Sequence, residues 1–269
     1  PYVVAPNGTA PLIERRRAAK WLFDHTVGRG VLAGAERVLA VSQAEQGQLL
    51  EAGVPAAKIR YLPNPVLADE VLGVERGRFR ERYGLVGEQV VLYLGQLSPR
   101  KGLDTLARAM GRLGAEGPRL VLAGADRGAG ALAARLLAEE GLTDRAQSVG
   151  VLHGRARLEA LADADLVVYV GEHEVFGLVV LEAMLCGTPV VVADDCGAAE
   201  LVQLTGGGAT VPVGDPTALA LQVRQMLDEA GAWSEQVAAG ARVARARFDV
   251  KVVCGELEAI YEEVHASAE

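Results

Sequence analysis

Glu174 and Glu182 lie eight positions apart in "EVFGLVVLEAM", a stretch that is otherwise apolar. An ionised carboxylate only accepts hydrogen bonds, and each can take two hydroxyls. Paired hydroxyls of a sugar fit that chemistry. The plainer reading makes Glu174 an acid stabilised by a helix N-terminus and Glu182 a solvated helix residue. Glu182 is harder to explain that way, because it sits among Leu181, Ala183 and Met184. A carboxylate on an apolar helix is costly unless it is paired. A second constellation is Arg100 and Lys101 in "GQLSPRKG", at the start of a helical pattern. Cations at a helix N-terminus are disfavoured by ~0.3–1 kcal/mol. Either an anion belongs with them or they are two solvated surface charges; both readings stay open.

These residues need a scaffold. Short apolar strands alternate with amphipathic helices along the chain. Strands are expected at 2–5, 37–42 and 59–63, with helices at 14–35 and 43–53. A denser series follows, with strands at 89–95, 119–124, 146–152, 165–171, 188–194 and 208–213. Helices separate them at 102–113, 130–141, 156–164, 177–187 and 197–203, and only helix is expected from Pro216 onward. Strands alternating with helices imply an α/β fold with a parallel sheet covered on both faces. The six strands from 89 to 213 suffice for a doubly wound sheet, and the earlier three do not. "YLPNPVLADEVLG", with two prolines, is the linker candidate. In such sheets ligands bind at the carboxyl ends of the strands, where the strand order reverses.

The loops after the strands are therefore the places to look. "GQLSPRKG" and "YVGEHEVFG" carry the cations and Glu174. "AGADRGAG" (123–130) lets a ligand approach the backbone, but a plain loop explains it equally well. "DDCGAAE" (194–200) puts Gly197 and Glu200 at the same rim. Asp194-Asp195 and the Asp163/Asp165 pair do not assemble the converging oxygens of a divalent-cation site, so no metal site is expected.

Of the 269 residues, 50% are hydrophobic and 23% charged, a core-building composition. The net charge of −8 argues against nucleic acid as a partner. Cys186, Cys196 and Cys254 are scattered and form no CxxC pair. They read as reduced, buried thiols of a cytoplasmic protein. No apolar run reaches the ~18 residues of a membrane span. The "ERRR" of the 14–35 helix could rest on a membrane surface, though a solvated basic face is the ordinary explanation. The chain opens "PYVVAPNG" without Met, which reads as the interior of a fold and suggests a fragment.

Together these residues resemble a family. "EVFGLVVLEAMLCGTPVV" looks like the paired-glutamate signature of family 4 (group 1) retaining glycosyltransferases, and "GQLSPRKGLDTL" like their phosphate loop. "RVLAVSQAE" and "IRYLPNPV" are similar to the end of their N-terminal domain, and "FDVKVVCGELEAIYEEV" to their closing helices. The resemblance implies the GT-B fold: two Rossmann-like domains facing a cleft. It divides the chain into a partial acceptor-side domain (1–65), a nucleotide-sugar-binding domain (66–247) and a terminal helix crossing back (248–269). It implies transfer of a sugar with retention from a UDP-, GDP- or ADP-sugar to an acceptor, with no bound metal and no cofactor.

The family's roles fall on named residues. Arg100 and Lys101 would neutralise the diphosphate, with Gly95 and Gln96 in the same loop. Glu182 would accept ribose hydroxyls, and Glu174 hydroxyls of the transferred sugar. Backbone groups of Phe176, Gly177 and Leu178 would approach sugar and phosphate, and Val151 and Leu152 would face the base. The resemblance also shows departures. Gln96 stands where the family often has Arg. Asn7 stands where it often has a cleft His, and leaves only a polar contact. The pattern begins well inside the family's own, so most of the acceptor domain is expected to be missing. Two other readings follow: a donor-binding module without transfer activity, and a GT-B enzyme without an acceptor, such as a sugar epimerase.

Overall fold

The computed structural model describes residues 1–9 and 24–267. The expected 14–35 helix and its "ERRR" fall largely outside these residues; from Asp24 the chain is helical through Gly34, ending in α1 (Arg29–Gly34). Strands β1 (Val3–Val4), β2 (Arg37–Ala40) and β3 (Ile59–Tyr61) form a parallel sheet in the order β1-β2-β3. Helix α2 (Gln43–Glu51) connects the last two.

The second sheet holds six parallel strands: β4 (Val90–Leu94), β5 (Arg119–Ala123), β6 (Ala146–Gly150), β7 (Leu166–Tyr169), β8 (Val190–Ala193) and β9 (Gly208–Val211). Their order is β6-β5-β4-β7-β8-β9. Central β4 is buried at all five positions, as a strand covered on both faces must be. Successive side chains serve opposite faces: Leu92 joins one core cluster and Tyr93 the other. Edge strand β6 instead carries exposed Gln147 and Ser148. The chain runs outward from β4 in both directions, so the order reverses between β4 and β7. A crevice opens at their carboxyl ends.

Helices α4 (Leu103–Arg112), α5 (Gly130–Glu139), α6 (Gly154–Asp163), α7 (Leu178–Leu185) and α8 (Gly197–Thr205) make the crossovers. They are preceded by α3 (Arg78–Tyr83), which sequence patterning did not reveal. It has only six residues, and its cap comes from far along the chain. The buried carboxylate of Asp163 accepts the N–H groups of Gly77, Phe79 and Arg80 at 2.6, 2.8 and 3.2 Å. Asp165 likewise takes Val90 N–H and an Arg80 guanidinium N–H. The Asp163/Asp165 pair thus ties the amino end of the sheet to α3.

The expected all-helical tail resolves into α9 (Pro216–Asp228), α10 (Ala230–Phe248) and α11 (Val250–Ala266). Asp249 breaks the last two with extended backbone and caps α11 through Lys251 N–H. Val66 N–H donates to Phe248 O at 2.7 Å, and Val250 N–H to Val66 O at 3.0 Å. From there α11 runs back to the first sheet, burying Val253 and Ile260 with Leu39 and Leu62. Glu263 pairs with Arg37 and Arg60. Cys186 and Cys196 are buried as expected, but Cys254 is exposed, because it lies off the Val253–Ile260–Val264 stripe that faces the sheet. No described helix is long and apolar enough to cross a membrane.

The two sheets also meet across the crevice. Ser42 caps the start of α2, with Glu45 N–H donating to Ser42 Oγ at 3.0 Å. Glu45 is fully buried, and its carboxylate takes Gly8 N–H at 2.5 Å and Val41 N–H at 2.9 Å. Gly197 lies so close to this loop that a Cβ there would fall 2.0 Å from Val175 O and 3.1 Å from Ser42 Cβ.

Candidate functional site

The loops following β4 and β7 flank the crevice and are joined to each other. Glu172 N–H donates to Arg100 O at 2.9 Å. Gly102, with φ +65°, passes so near β7 that a Cβ would fall 2.2 Å from Val170 O. This joining brings Lys101 Nζ onto Glu174 Oε1. Glu174 Oε2 accepts the Tyr169 hydroxyl at 2.8 Å, and Lys101 Nζ lies 5.8 Å from the Tyr169 ring centroid. Gly171 makes room for the carboxylate, since a Cβ there would meet Glu174 Oε1 at 2.8 Å. Burial, followed by the Glu174 charge, pushes the Tyr169 phenol far above its usual range, so it remains a donor. Arg100 is exposed on the same turn and has no ion pair among the described residues.

Helix α7 begins beside this pair. Gly177 precedes it, and no side chain caps its first turn. Free N–H groups at a helix start carry a partial positive charge. Phe176 turns inward, its ring edge-on to Phe248 with centroids 6.2 Å apart, while Leu178 is exposed. By contrast α5 supplies its own anion. Asp126 accepts from Gly128, Ala129 and Gly130 N–H, and these bonds hold its carboxyl below the usual range.

Glu182 lies in the second turn of α7, in a separate ion pair. The guanidinium of Arg157, from the first turn of α6, holds Glu182 Oε1 and lies 3.6 Å from Glu70 Oε2. Glu182 Oε2 is buried without a hydrogen-bond partner. Burial raises the Glu182 pKa, against the opposing pull of Arg157. The two glutamates bracket the helix start, as the spacing predicts, but each has its own cation. Arg157 escaped the sequence reading. The signal was there: a cation in the first turn of a helix, the same anomaly that singled out Arg100 and Lys101.

The remaining candidates lie around this centre. Gln96 has an exposed side chain, and its carbonyl accepts the Tyr93 hydroxyl at 2.7 Å. Gly95 is crossed by Gly124, where a Cβ would fall 1.7 Å from Gly95 O. Val151 is exposed and Leu152 packs against the core. Val151, Gly124 and Leu97 line one end of a cavity of about 810 Å³ that continues between α5 and β6. Asn7 comes from the other sheet. It has φ +49°, and its amide pairs with Asn64 at 3.2 and 3.4 Å. The next residue, Gly8, lies against Val175; a Cβ there would be 2.7 Å from Val175 Cγ2.

Residues 75–242 match the family model of glycosyl transferases group 1, which takes in the six-stranded sheet, Lys101 and both glutamates. The chain belongs to the group 1 glycosyltransferases. Residues 1–65 of this group 1 chain match a glycosyl transferase 4-like domain. It is 27% identical over 251 residues to the alpha-D-kanosaminyltransferase of Streptomyces kanamyceticus, covering 91% of this chain and 64% of that protein. It is 32% identical over 243 residues to the D-inositol 3-phosphate glycosyltransferase of Geodermatophilus obscurus, covering 86% and 53%. The chain thus spans about half to two thirds of the length of these relatives. Anabaena HepE, solved in complex with UDP-glucose, superposes with a TM-score of 0.78 at 26% identity, over 85% of this chain and 64% of that one. The fold is accordingly GT-B, with a Rossmann-like six-stranded unit.

Proposed function

We propose that this chain is the donor-binding portion of a retaining glycosyltransferase that takes its sugar from a nucleotide-diphosphate donor. The observation that carries this reading is the Lys101–Glu174 pair at the strand-order reversal, beside the uncapped start of α7. A cation, a hydroxyl acceptor and free N–H groups converge there, and a diphosphate sugar needs all three. The likeness to a protein solved with UDP-glucose supports the donor class.

In this reading the diphosphate draws Lys101 from Glu174 and is neutralised by Lys101, Arg100 and the first N–H groups of α7. Gly95 and Gln96 border it. Glu174, released from Lys101 and still oriented by Tyr169, accepts hydroxyls of the sugar. Glu182 accepts from the ribose through Oε2. Backbone groups at Val151 and Leu152 meet the base, and Asn7 reaches the sugar from the other side. As the anomeric C–O bond breaks, charge develops on the departing diphosphate while the sugar becomes oxocarbenium-like. Preorganised donors facing such charge are each worth ~3–4 kcal/mol. Attack by the acceptor on the face that the leaving group vacates gives retention.

Calorimetric titration with UDP, GDP and ADP tests the reading. Binding of one nucleotide that Lys101→Ala abolishes is expected; binding of none overturns it. A second reading, a donor-binding module without transfer, is favoured by Gln96 and Asn7, which stand where the family often has Arg and a cleft His. Sugar transfer by this chain alone would exclude it.

A further inference from the structure

We propose that Arg157 is a positioning residue, which holds Glu182 by Oε1 and leaves Oε2 without a protein partner, in reserve for a ribose hydroxyl of the donor. The inference rests on the reading that Glu182 faces the ribose. Three observations carry it. Among the described residues Arg157 is the one cation paired with Glu182, and the contact joins two helices, α6 and α7. Glu182 Oε2 is the oxygen without a partner, although it is buried. Arg157 is itself steadied from the opposite side by Glu70, in the short 3-10 turn at Ala68–Val71 that follows the linker prolines.

The arrangement answers a physical problem. A carboxylate that must accept a hydroxyl has to be ionised and aimed before the ligand arrives. Burial works against ionisation. Among the described residues, the groups facing Glu182 are few. Arg157 favours its charge, while Glu70 opposes it. The Cys186 thiol on the same helix is pushed up to about 12, so it stays neutral. Arg76 is turned to the Cys186 carbonyl at 3.0 Å. Without Arg157 no adjacent cation among the described residues compensates the burial of Glu182, and the acid form, a donor where an acceptor is required, gains ground.

The test compares wild type, Arg157→Met and Arg157→Lys by two readouts. The first uses no ligand: ¹³C carboxyl NMR follows Glu182, assigned by the signal missing in Glu182→Gln. Glu182 is expected to titrate at higher pH in Arg157→Met and near the wild-type position in Arg157→Lys. The second is calorimetry of the nucleoside diphosphate (UDP, GDP or ADP) from pH 5.5 to 8.5. Below the titration midpoint of Glu182, affinity in Arg157→Met should fall about tenfold per pH unit, with the fall beginning at higher pH than in wild type. An unmoved Glu182 titration overturns the proposal. So does an affinity loss in Arg157→Met that is equal at every pH, which would mark a merely structural role. If Arg157→Met does not fold, Arg157→Gln serves in its place. If Glu182→Gln binds nucleotide as wild type does while the NMR shift is present, the ribose role of Glu182 is what fails, and the pairing stands without its function.

Discussion

Glu200 caps the helix that begins at Gln43, although the two residues lie on helices that serve different sheets. Its two carboxylate oxygens accept the N–H groups of Gln43 and Ala44, each at 2.8 Å. The helix start that Ser42 caps from within is therefore also capped from across the crevice. Replacing Glu200 with Ala removes both bonds. A loss of about 0.5–2 kcal/mol is expected, read by urea denaturation. No loss would mean that the cap is dispensable.

Lys101 and Glu174 make opposite predictions for two ligands. Glu174 is an internal anion that competes for Lys101. Glu174→Gln should leave the free nucleoside diphosphate bound as tightly or up to about fivefold more tightly, since a partly exposed ion pair is worth up to ~1 kcal/mol. The sugar-bearing donor should lose affinity in the same variant. Calorimetry with both ligands decides it, and a weakened diphosphate would contradict the partner exchange.

Gly102 and Gly114 both have positive φ, +65° and +80°, but only Gly102 faces a neighbour within 4 Å. Gly114→Ala should cost about 1 kcal/mol from backbone strain alone. Gly102→Ala must also move Val170 O away and should cost about 2–4 kcal/mol. Because Gly102 joins the loops that carry Lys101 and Glu174, its variant should bind nucleotide poorly even where it remains folded. Unfolding curves and calorimetry on the same samples test this.

Glu182 predicts a pH effect of definite sign. Its pKa is raised on folding, chiefly by burial. Between the ordinary carboxylate value and the higher folded one, the native state binds more protons than the unfolded chain. Stability from this group therefore rises as pH falls through that window. The unfolding free energy of wild type relative to Glu182→Gln should shift in favour of wild type on acidification. A shift in the other direction would show that Arg157 outweighs burial.

Asp163→Ala separates structure from function. It leaves three N–H groups at the start of α3 without an acceptor. A loss of about 2–4 kcal/mol is expected. Nucleotide affinity in the folded fraction should be unchanged, because Asp163 lies at the amino end of the sheet.

The sequence spoke most clearly where burial leaves little choice. The runs "VVLYL" and "LVVY" are apolar throughout because helices cover both faces of β4 and β7, and such runs can be read without a partner in view. Glu182 and Lys101 were legible because each is a charge in a place that disfavours it, and Glu174 through its spacing from Glu182. What stayed hidden depends on distant partners. Short α3 is held by Asp163, 84 residues away from Phe79. Arg157 gains meaning only once α6 lies against α7. The exposure of Cys254 follows from which side of α11 meets β2 and β3, and periodicity alone does not decide between the sides.

The hydrogen bonds between Val66, Phe248 and Val250 bring the outgoing and returning chain together at one place. The two halves are thus joined here by two adjacent segments of chain, rather than by one strand of linker. A lone strand would permit twisting as well as opening. Two adjacent segments of chain resist that twisting more than one would. Across the crevice the halves touch again, where Gly8 lies against Val175. The bonds from Glu200 to Gln43 and Ala44 fasten the halves there as well, so the crevice is pinned from both sides.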